Sequence, residues 1–335
     1  MWPRIGTETM ALVKDQYAVP NPVLSPAVKN FLETFQFGRL GLRVGRKIIR
    51  TMQAVRLQRR LWMRQFGLPL RNAMFLNRPL TVSLDGIPVR LAPRGQIAGF
   101  FWTGVRFGTH QIAFILKVLE PGMIFFDVGA NAGLFAIHAA KKIGGKGVFA
   151  FEPCSSTYKL LRQNLLLNRL VDVNSVQTAL GDSVGEAVLQ INGRGRDGLN
   201  TLSKAIHPEC RIVGQEDVCI TTVDAFMKDR NIPRVDVMKV GIEGAELMLF
   251  RGAGSLLKRA DAPLILCESG FLARGFGYHP VEILWLLESC GYELLLLNSE
   301  TGGITHLKPD YQYDSKVIAV KPGHPAYKGL RGVTQ

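Results

Sequence analysis

Phe125-Phe126-Asp127-Val128-Gly129-Ala130-Asn131-Ala132-Gly133 is the stretch whose reading decides the fold. The run from Met123 to Asp127 is apolar, with two aromatics and no charge before its last residue, which suits a strand buried on both faces of a parallel sheet. Gly129 and Gly133 then bracket a tight turn, after which Leu134, Ile137, His138 and Lys141 recur at helical spacing. Strand, glycine turn and helix together form a layout that aims backbone N–H groups at a ligand. Glycine is needed there because a Cβ would block close approach.

A second short strand, Gly147 to Phe151, delivers Glu152 to its carboxyl end within Phe149-Ala150-Phe151-Glu152-Pro153. Open α/β sheets bind ligands at that end, and a carboxylate there can accept both hydroxyls of a ribose. The turn reads G-x-x-x-G with Asn131 in the middle, whereas a nicotinamide dinucleotide calls for G-x-G-x-x-G. Without a pyrophosphate to cradle, the third glycine is dispensable. The pattern fits S-adenosylmethionine, a nucleoside ligand with no phosphates, better than a dinucleotide; a structural turn in an unrelated α/β domain is the competing reading.

Working outward, 335 residues suffice for one good core and an extension. The expected division is an amino-terminal extension over 1–94, a catalytic domain over 95–322 and a tail over 323–335. The formal charge is +14, and between Thr34 and Leu84 there are eleven Lys and Arg residues and no acidic side chain. Such an excess suggests an anionic neighbour: nucleic acid, a phosphorylated substrate or a membrane surface. No apolar run approaches the ~20 residues of a spanning helix, and the amino terminus lacks the pattern of a secretory signal. The expected location is therefore the cytoplasm, with the inner membrane surface as a place of contact. Cys154, Cys210, Cys219, Cys267 and Cys290 show no C-x-x-C pairing, and the six histidines no ligand spacing, so neither a disulfide framework nor a metal site is indicated.

The first twenty-six residues carry Pro3, Pro20, Pro22 and Pro26 and little periodicity, and poor order is expected there. From Ala27 to Phe66 the pattern predicts basic helices broken by Gly38, Gly41 and Gly45. Such a helix can lie on anionic lipid, track phosphates or cap the core with a solvated face. Leu80 to Leu91 alternates as a hairpin around Asp85-Gly86 and is expected to cover the sheet edge. Helices are predicted over 112–119, 155–168, 245–259 and 281–289. Strands are predicted over 173–178, 235–240, 264–267, 292–297 and 317–320, with a further hairpin over 187–191. The last two strands have no helix between them and should be antiparallel neighbours. The expected architecture is α/β: a methyltransferase (Rossmann-like) fold, with a seven-stranded mostly parallel sheet containing one antiparallel strand, and a basic helical amino-terminal extension.

Five motifs carry a resemblance. They are DVGANAG at Asp127 to Gly133, AFEP at Ala150 to Pro153, LLLN at Leu165 to Asn168, GLNTL at Gly198 to Leu202, and MKVGIEGAELMLFRGA at Met238 to Ala253. In this order they resemble the FkbM-type family of S-adenosylmethionine-dependent methyltransferases over roughly Gly104 to Val320. The resemblance implies methyl transfer to an oxygen, typically a hydroxyl on a sugar, glycan or secondary metabolite. It also implies that Asp127, Gly129, Asn131 and Gly133 line the methionine end of the cofactor, that Glu152 holds the ribose, and that Asp182 meets the adenine amino group. For Asp127 the competing role is to orient the turn, for Glu152 a surface carboxylate, for Asp182 a cap.

Where the family usually reads K-x-D-x-E-G, this chain has Lys239-Val240-Gly241-Ile242-Glu243-Gly244. Asp236 lies too early in the strand to replace the missing Asp. Glu243, in the loop leaving the fourth strand, is the first candidate for general base, with a helix cap as its alternative. Lys239 is a candidate base or a charge that orients the acceptor, and, buried on a strand, is rather expected to pair with Glu243 or Glu268; Glu268, ending the fifth strand, is expected to bind the acceptor or Lys239, the three forming one charged cluster. His110 and His207 are further base candidates that compete with plain packing, and the family match suggests Asn200 as an acceptor contact. Two other functions stand beside this one. A binding module that lost turnover with the Asp would keep the cofactor pocket. A nucleic-acid methyltransferase would suit the charge, but the N-P-P-Y type clamp is absent.

Overall fold

The computed structural model describes residues 79–92, 95, 97–98, 108–193, 197–203, 211–307 and 315–331. The chain divides into two units, Met1–Leu61 and Trp62–Gln335, and all described residues fall in the second. The proline-rich start, the basic helices expected from Ala27 to Phe66, His207 and Cys210 lie outside the described residues.

The elements run β1 (Leu80–Leu84), β2 (Ile87–Leu91), α1 (Thr109–Val118), β3 (Phe125–Val128), α2 (Leu134–Ile143), β4 (Val148–Phe151), α3 (Ser155–Leu167) and β5 (Asn174–Val176). They continue with β6 (Ala179–Leu180), β7 (Gly185–Asn192), β8 (Ile212–Thr221), α4 (Val223–Asp229), β9 (Val237–Val240), α5 (Glu246–Arg251), α6 (Gly254–Lys258) and β10 (Leu264–Ser269). α7 (Val281–Ser289), β11 (Glu293–Leu297), β12 (Ile304–His306), β13 (Ser315–Val320) and α8 (Tyr327–Arg331) complete the described chain.

The main sheet has the order β12-β11-β13-β10-β9-β3-β4-β5. β10, β9, β3, β4 and β5 are parallel neighbours, and β13 runs antiparallel to both β10 and β11. This is the expected seven-stranded sheet with one reversed strand, extended by β12, a three-residue antiparallel edge strand that the sequence reading did not include.

Alternation along the strands builds a core on each face. Phe125 packs with α1, α2 and α3 on one side, while Phe126 packs with α4, α5, α6 and α7 on the other. On the second face Phe126, Phe151 and Phe226 stack with ring centroids 4.9 to 6.2 Å apart. The single helix expected over 245–259 is broken between α5 and α6. Asp224 accepts from Ser255 N and Leu256 N, giving α6 an N-terminal cap of its own.

The β1–β2 hairpin forms its own two-stranded sheet rather than covering an edge of the main one. Val89 and Leu91 are buried in the first core, so the hairpin, expected in the extension, packs into the same core as the main sheet, within the second unit. At the other end Leu330 of α8 lies in that core too, inside the segment expected to be a tail. A three-stranded sheet, β6-β8-β7, stands apart; β7 pairs with β8, a strand whose sequence is too polar to have signalled itself.

Candidate functional site

The glycine turn follows β3 at the carboxyl end of the sheet, where the next strand, β9, also ends. Gly129, Asn131 and Gly133 all have positive φ, at 75°, 49° and 89°. A Cβ at Gly129 would collide with the carbonyl oxygen of Gly241, and one at Gly133 with Leu161 Cδ1. Glycine at these positions therefore lets the turn lie directly against the loop after β9 and against α3.

Asp127 is fully buried behind this turn rather than lining it. Its Oδ2 accepts from Ala136 N at 3.0 Å, and its Oδ1 faces Lys239 Nζ at 3.3 Å as an ion pair without a directed hydrogen bond. Burial pushes its carboxyl above the usual range, against the pull of Lys239 and the Ala136 N–H. Lys239 also donates to Gly129 O at 2.8 Å and to Val128 O at 3.3 Å, and its ammonium lies 5.1 Å from the Phe135 ring centroid. The pairing of Lys239 with Glu243 or Glu268 is corrected: its carboxylate partner is Asp127. A lysine reaches across from the neighbouring strand because β3 and β9 are in register, with Asp127 opposite Lys239.

Glu152 is buried, not a surface carboxylate. Its Oε2 accepts from Asn131 N at 3.0 Å and its Oε1 from Cys154 N at 3.1 Å, so one side chain joins the turn to the chain leaving β4. A carboxylate offers about four acceptor sites, so this role is compatible with accepting ribose hydroxyls. Together, the turn of three left-handed residues and an acidic group at the end of the adjacent strand fit a nucleoside donor. Asp182 sits elsewhere: it is exposed, in the turn between β6 and β7 of the small sheet, rather than at the end of β5.

Beyond β9 the chain turns sharply. Glu243 takes a left-handed φ of 55°, costly for a residue with a side chain at roughly 1–2 kcal/mol. Tyr278 holds the loop by donating to Gly244 O and accepting from Leu247 N at 3.2 Å. Thr201 Oγ1 donates to Glu243 O at 3.1 Å, bringing the GLNTL segment to this loop. Neither Tyr278 nor Thr201 was singled out by sequence, since both act on backbone across long separations. Asn200 accepts from Asn192 N at 2.9 Å and folds its own loop, inside the β7–β8 connection.

Burial drives the Glu243 carboxyl well above its usual value; Glu268 and Glu246 push it further, and Lys316 and Lys239 oppose them. Glu246 is buried and pushed up to about 7, first by desolvation. Its Oε1 accepts from Ile242 N at 3.2 Å, and its Oε2 has no partner among the described residues. It is Glu246, at the start of α5, and not Glu243 that braces the loop before the helix. Glu268 forms an ion pair with Lys316, its register partner on β13 and a residue the sequence reading missed. The trio Glu243, Lys239 and Glu268 is thus divided: Lys239 under the turn, Glu268 with Lys316, and Glu243 electrostatically coupled to both. Asp236 accepts from Ile124 N at the opposite end of the sheet, and His110 packs on the loop at Gly302.

Gly241 needs no special φ, and a Cβ there would lie 3.3 Å from Lys239 Nζ and 3.4 Å from its Cε. The missing carboxylate leaves no orphaned charge, because Lys239 is paired with Asp127.

A family model described as the Methyltransferase FkbM domain matches residues 127–294. Methyltransferase sdnD of Sordaria araneosa is 27% identical over 159 residues, covering 40% of this chain and 61% of that protein. Hexuronic acid methyltransferase AglP of Haloferax volcanii is 24% identical over 196 residues, covering 58% of this chain and 77% of that protein. The 31-O-demethyl-FK506 methyltransferase FkbM of Streptomyces tacrolimicus is 39% identical over 67 residues, 20% of this chain and 25% of that protein. The chain spans 61% of the Sordaria protein's length and 56% of that of Methyltransferase 1 of Beauveria bassiana.

Proposed function

Because this chain belongs to the FkbM methyltransferase family, whose methyl donor is S-adenosylmethionine, we propose that it methylates a hydroxyl oxygen on a sugar, glycan or small metabolite. The observation that carries this reading is the placement of Glu243: it follows Gly241 and Ile242 in the loop after β9, the Gly241 carbonyl lies against the turn at Gly129, and burial and two neighbouring glutamates raise the proton affinity of its carboxyl. Two of the relatives are named for methylation of a hexuronic acid and of 31-O-demethyl-FK506, and the second name supports an oxygen acceptor.

The donor supplies a methyl carbon already activated by a positively charged sulfur. Gly129, Asn131 and Gly133 would bear on its methionine end and Glu152 on its ribose. Asp182 contributes to adenine only if the β6–β7 turn folds toward the donor. Because such a displacement depends mainly on alignment, the work of the chain is to hold two partners in line and exclude water. Glu243 would accept the proton of the acceptor hydroxyl. An elevated pKa makes the ionised form a stronger base, of the kind that contributes about 10²–10⁴-fold. Glu268 and Lys316 would face the acceptor from the neighbouring strands.

Calorimetric titration with S-adenosylhomocysteine, followed by a methyl-release assay across hydroxylated sugars and metabolites, tests the reading. Binding of the nucleoside and turnover with a hydroxyl acceptor are expected; turnover only with amines or nucleic acid would overturn the oxygen assignment. Peripheral contact with anionic lipid through the basic residues 34–78 is proposed on charge alone. No helix among the described residues is long and apolar enough to cross a membrane.

A further inference from the structure

The LLLN motif at Leu165 to Asn168, and the asparagine just before it, have no part in the site as described so far. Asn164 is a fully buried polar residue on α3, and its carboxamide is used from both ends. Its Oδ1 accepts from Arg90 N at 2.6 Å, and its Nδ2 donates to Arg90 O at 3.0 Å and to Ala132 O at 2.8 Å. Only one orientation of the amide satisfies this set, with oxygen toward an N–H and nitrogen toward two carbonyls.

Ala132 lies in the donor turn, between Asn131 and Gly133. It lies one residue before Gly133, whose carbonyl takes the first helical bond of α2 from Ile137 N, and the first-turn N–H of Ala136 donates to Asp127 Oδ2, so no helical N–H reaches the Ala132 carbonyl. The carbonyl is thus left for a side chain, and Asn164 supplies it. Asn168, one turn along α3, donates to Pro88 O at 2.8 Å and to Asn164 O at 2.9 Å. Asn168 therefore anchors the same hairpin without touching the turn.

We propose that Asn164 is a positioning residue for the methyl donor: it fixes the Ala132–Gly133 peptide, and so sets how Asn131 and Gly133 meet the ligand, while binding that peptide to the β1–β2 hairpin. This rests on the reading that the turn holds S-adenosylmethionine. Asn164→Asp keeps the acceptor for Arg90 N but sets carboxylate oxygens against the carbonyls of Arg90 and Ala132. Asn168→Ala loosens the hairpin alone.

The test is calorimetric titration of the full chain with S-adenosylhomocysteine, with amide hydrogen exchange at Ala132 and Gly133 as a second readout. Asn164→Asp removes the hydrogen bonds to Arg90 O and Ala132 O, and the loss of the one that reaches the turn is expected to weaken binding about tenfold and to speed exchange there. Asn168→Ala is expected to lower the melting temperature while binding stays within about twofold. Asn164→Ser, a smaller change, serves as the measured variant if the Asp variant does not fold. Wild-type affinity and exchange in a folded Asn164 variant, or equal weakening by Asn168→Ala, would overturn the proposal. Failure of the unaltered chain to bind would instead overturn the donor reading beneath it.

Discussion

Around the glycine turn, Asp127 and Glu152 give their oxygens to backbone N–H groups of Ala136, Asn131 and Cys154, and a lysine sits beside Asp127. At the end of β9, by contrast, Glu243, Glu246 and Glu268 crowd one another, one in a left-handed conformation and one with a buried oxygen lacking a partner among the described residues. The same residue type does opposite work in the two halves. In the half proposed for the donor it sets backbone shape: three carboxylate oxygens accept from backbone N–H groups, and the fourth, Asp127 Oδ1, faces Lys239 as an ion pair. In the acceptor half burial and like charge raise proton affinity, which is what a general base requires.

If the donor half depends on shape, a single methyl group should abolish it. Gly129→Ala places a Cβ into the carbonyl of Gly241 at a φ of 75°, and no measurable S-adenosylhomocysteine binding is expected, with far-UV circular dichroism verifying that the sheet persists. A folded variant that binds normally would remove shape as the basis of that half. The acceptor half should respond to charge instead. Glu243→Gln is expected to lower turnover by about 10²–10⁴-fold while donor affinity is retained. Equal loss of binding and turnover would place Glu243 in the donor half and erase the contrast.

The two halves also differed in how far they could be read from sequence. The turn was legible because its requirements are local: Gly129 and Gly133 flank one short segment, and Glu152 follows the next strand. The parallel strands of the main sheet and the reversed β13 were legible for the same reason, since their periods are local; β6, β8, β12 and α4 were not. Pairings across the chain were not legible. Lys239 meets Asp127, and Glu268 meets Lys316, only because β9 registers with β3 and β10 with β13. Sequence spacing placed Lys239, Glu243 and Glu268 in one neighbourhood but said nothing of which charge would face which. Asp182 illustrates the converse: chain order put it after the third strand, yet its neighbours belong to a separate sheet whose strand β8 is thirty residues further on and too polar to recognise.

Glu246 sharpens the contrast through stability. Its carboxyl is neutral in the fold up to about pH 7 but would ionise near the ordinary glutamate value in the unfolded chain. Between those values the native state holds the extra proton, so stability falls as pH rises through this window, by roughly 3 kcal/mol at about 1.4 kcal/mol per unit. Urea denaturation at about pH 5 and about pH 8 should show that loss, and Glu246→Gln should flatten it. An unchanged slope in the variant would mean that another group carries it.

The smallest effect is the most discriminating, because it acts on Glu243 through a charge on another strand. Four charged groups bear on that carboxyl: Glu268 from β10 and Glu246 from α5 raise its proton affinity, and Lys316 from β13 and Lys239 from β9 lower it. Lys316→Met deletes one opposing charge and leaves Glu268 without its partner, and both changes act in the same direction. The acidic limb of the kcat/KM profile should therefore move upward by roughly one pH unit, with donor affinity untouched. Lys316→Arg should restore the limb, since it returns the charge without the same geometry. A limb that stays in place in Lys316→Met would show that the titrating base is not Glu243, whereas one that moves in both variants would tie it to the shape of the lysine rather than its charge. Either result would bring the acceptor half closer to the donor half, where shape decides.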